Sequence, residues 1–117
     1  MKKTIMIKKR YEFKILYTKG QRYYGNSITA YIMKNKFDYN KLGIAVGKKS
    51  GHAVDRNRIK RLIRENYKEK EACVKCGYNI LISVNKKTEI KNISFYDIKK
   101  DFEKILNKSK LWAEKND

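Results

Sequence analysis

The run GKKSGHAVDRNRIKRLIRENYKEK, residues 47–70, decides how the rest of this 117-residue chain is read. From about residue 53 its apolar residues Ile59, Leu62, Ile63 and Tyr67 recur every three or four positions, so they form one stripe on an α-helix. Asp55 falls in the first turn, where the helix dipole favours an acid. At about 100° per residue, Arg56, Lys60, Arg64 and Lys68 make a ridge away from the stripe, which Arg58 and Arg61 widen and within which Asn57 lies. Four of the six arginines lie in residues 56–64, although lysine carries most of the positive charge elsewhere. A guanidinium grips phosphate bidentately and stacks on bases, which an ammonium does not. A face needing only solvation would interleave acids for about 0.3 kcal/mol per pair, yet Glu65 is the only acid between Arg56 and Lys68. The pattern predicts a helix that docks by its apolar stripe and offers a cationic face to a polyanion. Just upstream, Lys48 and Lys49 with two glycines put ammonium and backbone N–H groups at a helix start, which suits an anion. The glycine spacing fits neither a Walker loop nor a dinucleotide fingerprint.

Outward from this helix the period changes. Residues 27–33, SITAYIM, alternate Ile28, Ala30 and Ile32 with Thr29, Tyr31 and Met33, as a strand does. A polar loop follows, and residues 42–46 alternate again; the two strands read as an antiparallel hairpin with a longer loop. Before them, Phe13, Leu16 and Tyr17 predict a short helix over about 8–19, with Gly20 placed for a left-handed cap. Beyond the basic helix, YNILISV at 78–84 reads as a strand, and Ser94 with Asp97 resembles a capping box opening a helix that carries Phe95, Ile98, Phe102, Ile105 and Leu106. The expected order is α-β-β-α-β-α, one α+β domain over 1–117 with a core at about 8–108 and a loosely attached tail from 109.

Thirty Lys and Arg against twelve Asp and Glu give a formal charge of +18, so the partner should be a polyanion. At 41% hydrophobic residues the chain can still bury a core and is no disordered basic tail. No stretch approaches the roughly 18 apolar residues of a membrane span, and the N-terminus lacks an apolar signal segment, so a cytoplasmic protein is expected. Cys73 and Cys76 form a CxxC pair, but the one histidine, His52, is distant and about four ligands are needed for a structural zinc; two reduced thiols are expected.

The segment GKKSGHAVDRNRIKRLIRE resembles the signature of the bacterial ribonuclease P protein family, with Arg56-Asn57-Arg58 as its RNR kernel. KKRYEFKILYTKG, the SITAYIM and YNILISV strands and the last helix are similar more loosely, so the resemblance covers about 8–108. It implies an α/β sandwich like domain 2 of ribosomal protein S5, with a left-handed βαβ crossover. It also implies that Lys48, Lys49, Arg56, Asn57, Arg58, Lys60, Arg61 and Arg64 bind the catalytic RNA subunit. A cleft between the first helix and the sheet would then take the 5′ leader of precursor tRNA, with Phe13, Tyr17, Thr29 and Tyr31 as candidate lining residues. Phe13 and Tyr17 are i, i+4 neighbours, and such a ledge stacks unpaired bases without reading sequence; burial is the alternative for Phe13. The chain departs from the family at His52, where Asn is frequent, and at Asp55, an acid beside the RNR that would soften RNA affinity.

One histidine, no carboxylate cluster in the basic region and no nucleophile beside a base leave no candidate catalytic group on the protein. The chemistry is therefore expected on the RNA, with Mg²⁺ held mainly there and none intrinsic to the chain. Rival readings are a structural RNA binder such as a ribosomal protein, which needs no aromatic cleft; a DNA-compacting protein, for which no dimerising segment or groove-reading helix stands out; and a protein-only nuclease.

Overall fold

The computed structural model describes residues 4–86 and 88–112. In chain order they form β1 (Thr4–Met6), α1 (Arg10–Lys19), β2 (Gln21–Tyr24), β3 (Ile28–Lys34), β4 (Asn40–Ala45), α2 (Ala53–Lys70), β5 (Tyr78–Val84) and α3 (Phe95–Ser109), with short 3₁₀ turns at Lys48–Ser50, Glu71–Cys73 and Ile90–Asn92. The five strands make one mixed sheet in the order β1-β4-β5-β3-β2.

The α+β class and the three helices stand as expected, but the strand pairing does not. β3 and β4 form no hairpin: β5 lies between them, antiparallel to β3 and parallel to β4. The centre goes to β5 because it is apolar on both faces, with Ile80, Leu81 and Ile82 all buried, and a strand buried on both sides belongs inside a sheet. β1 and β2 were not expected; at three and four residues they are too short to show a period. Gly20 is not left-handed but extended, at φ −70° and ψ 146°. Residues 109–112, expected to start a loose tail, are anchored, since Leu111 joins the core and Trp112 bridges Val74. The rest of the expected tail, 113–117, lies outside the described residues.

Alternation along the strands sorts the molecule into three layers. Ile28, Ala30, Ile32, Leu42, Ile80 and Ile82 pack against the stripes of α2 (Ile59, Leu62, Ile63, Tyr67) and α3 (Ile98, Phe102, Ile105, Leu106). The capping box at α3 forms as read: Asp97 N–H donates to Ser94 Oγ at 3.1 Å and Ser94 N–H to Asp97 Oδ2 at 2.8 Å. On the opposite face α1 is the one helix among the described residues. Register puts three rows of side chains beneath it: Ile5, Lys41, Asn79 and Met33; then Gly43, Leu81, Tyr31 and Arg22; then Ala45, Ser83, Thr29 and Tyr24. α1 lies over the middle row. A Cβ at Gly43 would stand 2.8 Å from the Phe13 ring, so this glycine sets how closely the helix approaches, while Leu16 packs on Leu81 and Tyr17 on Tyr31.

Candidate nucleic-acid interface

The third row is the floor of an open cleft of about 500 Å³ beside α1. Tyr17, Tyr31, Arg22 and Tyr24 stand around it, Ala45, Ser83, Thr29 and Asn85 line its base, and Gly47, Ser50, Val84 and Lys86 complete it. The Tyr17 and Tyr31 rings meet edge to face, 4.9 Å between centroids at 69°. Arg22, the cross-strand partner of Tyr31, holds its guanidinium carbon 5.6 Å from that ring. Such planar faces stack bases of any sequence. Burial pushes the Tyr17 hydroxyl above its ordinary pKa, Tyr31 adds to this, and a hydrogen bond with Ser83 opposes it. The phenol therefore stays neutral at physiological pH and puts no negative charge where a polyanion would lie. Arg22 is raised by its hydrogen bond and proximity to Tyr24, then by Tyr31, and remains a cation.

The four cleft residues read from sequence divide. Tyr17 and Tyr31 come together at the rim. Thr29 is on the floor but buried, its hydroxyl donating to Asn85 Oδ1 at 2.6 Å. Phe13 packs with Leu16, Leu81 and Met33 under the helix and is not among the lining side chains. Sequence reasoning missed Arg22 and Tyr24. The available signal was their i, i+2 spacing, which places both on one face of a strand as short as β2.

The basic helix also divides once its side chains are seen. Asn57, Arg61, Arg64 and Lys68 are exposed, as are Lys48 and Lys49 on the preceding turn. Lys60 is half-buried. Arg61 meets Glu65 at 3.9 Å, an exposed i, i+4 pair worth little. Arg56 instead turns back: its Nη1 donates to the carbonyls of Lys48 at 3.0 Å and Gly51 at 2.7 Å. Arg58 Nη2 donates to Ile93 O at 2.9 Å, while its buried Nη1 has no hydrogen-bond partner among the described residues. Because Gly47 and Ser50 line the cleft and Arg56 clasps the same turn, the cleft and the α2 face share one wall. Cys73 and Cys76 are free and exposed, at the other end of α2.

Comparison with known proteins gives the family and agrees with the fold. A family model described as Ribonuclease P matches residues 1–110. The ribonuclease P protein component of Thermoanaerobacter sp. (strain X514) is 33% identical over 112 residues, spanning 96% of this chain and 95% of that one. Among solved structures, the RNase P protein of Staphylococcus aureus superposes with a TM-score of 0.80 at 33% identity, covering 92% of this chain and 97% of the other. That of Thermotoga maritima gives 0.78 at 26% identity, covering 88% and 96%.

Proposed function

Because the chain belongs to the ribonuclease P protein family, and so takes part in a tRNA-processing endonuclease, we propose that it acts there as an RNA-binding subunit with two contact surfaces. The exposed face of α2, with Lys48 and Lys49, holds the catalytic RNA; the cleft beside α1 holds the unpaired 5′ leader of precursor tRNA. The observation that carries this reading is the pairing of an aromatic cleft with a cationic helix across one shared turn. A structural RNA binder needs the helix but has no use for the cleft.

In this reading hydrolysis of the phosphodiester belongs to the RNA and its Mg²⁺. Among the described residues no three His, Cys, Asp or Glu side chains converge; this reading assigns the ion mainly to the RNA. The chain supplies positive charge that screens phosphate repulsion as the two RNAs approach, and ring faces that hold the leader still. No helix among the described residues is long and apolar enough to cross a membrane. As a partner of these RNAs the chain is assigned to the cytoplasm in this reading.

The test is reconstitution at low Mg²⁺. Precursor tRNA should be cleaved well only when chain and catalytic RNA are both present. Metal-dependent cleavage by the chain alone, lost when one of its carboxylates is replaced, would overturn the reading.

A further inference from the structure

Asp101 stands out among the buried polar groups. It sits on α3, in the layer opposite the cleft, and is 2% exposed. Its carboxylate accepts three successive backbone N–H groups: Asn26 on Oδ1 at 2.9 Å, and Ser27 and Ile28 on Oδ2 at 2.7 and 3.1 Å. Successive N–H groups turned to one point form a concave anion site, and here an anion of the chain itself fills it. The turn has been shaped to fit: a Cβ on Gly25 would lie 2.6 Å from Asp101 Cγ, so only glycine admits the carboxylate at that distance. Asn85 closes the same turn from the β5 side. Its amide donates to the carbonyls of Gly25 and Asn26, both at 3.2 Å, and its Oδ1 accepts from Thr29 on the cleft floor.

The clamped turn joins β2 to β3, and these two strands carry Arg22, Tyr24, Thr29 and Tyr31. β2 is an edge strand of four residues whose one strand partner among the described residues is β3, with Lys108 Nζ reaching the Tyr24 carbonyl at 3.4 Å, so the angle at which Arg22 and Tyr24 overhang the cleft is set largely by that pairing and by its turn. We infer that Asp101 is a positioning residue for the leader: by locking the turn from below, it fixes the β2 wall of the cleft without touching RNA. This rests on the cleft reading proposed above. Replacing the carboxylate with an amide keeps the shape but turns an NH₂ toward at least one N–H donor, so the lock opens while the rest of α3 stays packed.

The test uses holoenzyme reconstituted from the catalytic RNA with wild-type chain, Asp101→Asn, Gly25→Ala or Tyr31→Ala. Affinity is measured for precursor tRNA and for a leaderless tRNA, with amide exchange followed at residues 26–28. Asp101→Asn should speed exchange at those amides and lower affinity for the leader-bearing substrate about threefold to tenfold. Affinity for the leaderless substrate and for the catalytic RNA, and turnover at saturation, should stay unchanged. Gly25→Ala pushes the same joint apart from the turn side and leaves the carboxylate in place, so it should reproduce the loss even if Asp101→Asn folds poorly. Full leader preference in both variants while Tyr31→Ala loses it would overturn the positioning role and leave the cleft reading standing. Equal losses with and without a leader would reduce Asp101 to general stability and also overturn it. Leader preference intact in Tyr31→Ala would remove the cleft reading and this inference with it.

Discussion

On the α2 and α3 side of the sheet, Ile28, Ala30, Ile80 and Ile82 are covered by two helices, whereas on the α1 side Thr29, Tyr31 and Ser83 of the same strands reach the edge of one helix and an open cleft. The strands are the same and the alternation equally regular; the difference is in what covers them. A helix is about 10 Å wide and so shields about three residues of a strand rising about 3.3 Å each, while β3 and β5 are seven residues long. Two helices cover that length, whereas one, lying over the middle row, leaves a row open on either side. The third row is the one beside which the rim aromatics Tyr17, Tyr31 and Tyr24 stand.

The two faces should differ most in stability. Ile63→Ala, in the closed layer at 0% exposure, should cost about 2–5 kcal/mol in denaturant unfolding. Tyr31→Ala, at the open edge, should cost clearly less. Equal costs would mean that the α1 side is core as well.

Charge sharpens that difference next. Arg64→Ala should flatten the salt dependence of catalytic-RNA binding by about one unit with no change in melting temperature. Arg56→Ala should weaken binding and also cost about 1 kcal/mol of stability, because it releases the Lys48 and Gly51 carbonyls. If the two variants melt alike, Arg56 is not holding the turn.

The smallest effect belongs to the helix cap on the closed side. Ser94→Ala should lose about 1 kcal/mol and leave RNA affinity untouched. The backbone and side-chain hydrogen bonds from Ser94 hold the Asp97 carboxyl below its ordinary pKa. Its contribution is therefore complete at neutral pH and is lost as the pH falls through the lowered folded-state value. A pH–stability curve of Asp97→Asn should lie below the wild-type curve at neutral pH and approach it in acid, whereas the Ser94→Ala deficit, which includes the Asp97 N–H bond to Oγ, should persist there.

The sequence made the core faces and the cationic helix legible because both depend on periodicity. Ile59, Leu62, Ile63 and Tyr67 are buried as their spacing implies, and Ser94 caps as its neighbour implies. Strand order was not legible, since alternation gives a strand's faces but not its partner, and β5 takes the centre only through three-dimensional burial. Polar residues that serve the backbone were equally hidden. Asn40, at the end of a segment that reads as a polar loop, is buried, accepting from Tyr78 N–H and donating to Lys75 O. Asp101 and Asn85 do the same for the β2–β3 turn. In one dimension such residues cannot be told from solvated ones. Arg56 and Arg58 show the limit for the site: spacing placed both on the basic face, and only the fold reveals that part of each guanidinium serves the protein's own carbonyls.

If the open row beside α1 holds the leader, one ratio reads it directly: affinity for precursor tRNA over affinity for leaderless tRNA, in reconstituted holoenzyme. Tyr17→Ala and Tyr31→Ala should each reduce that ratio by about 5-fold to 150-fold while remaining folded at the assay temperature and binding the catalytic RNA as the wild type does. Folded variants whose ratio equals the wild-type value would contradict the account and return both tyrosines to the packing of α1.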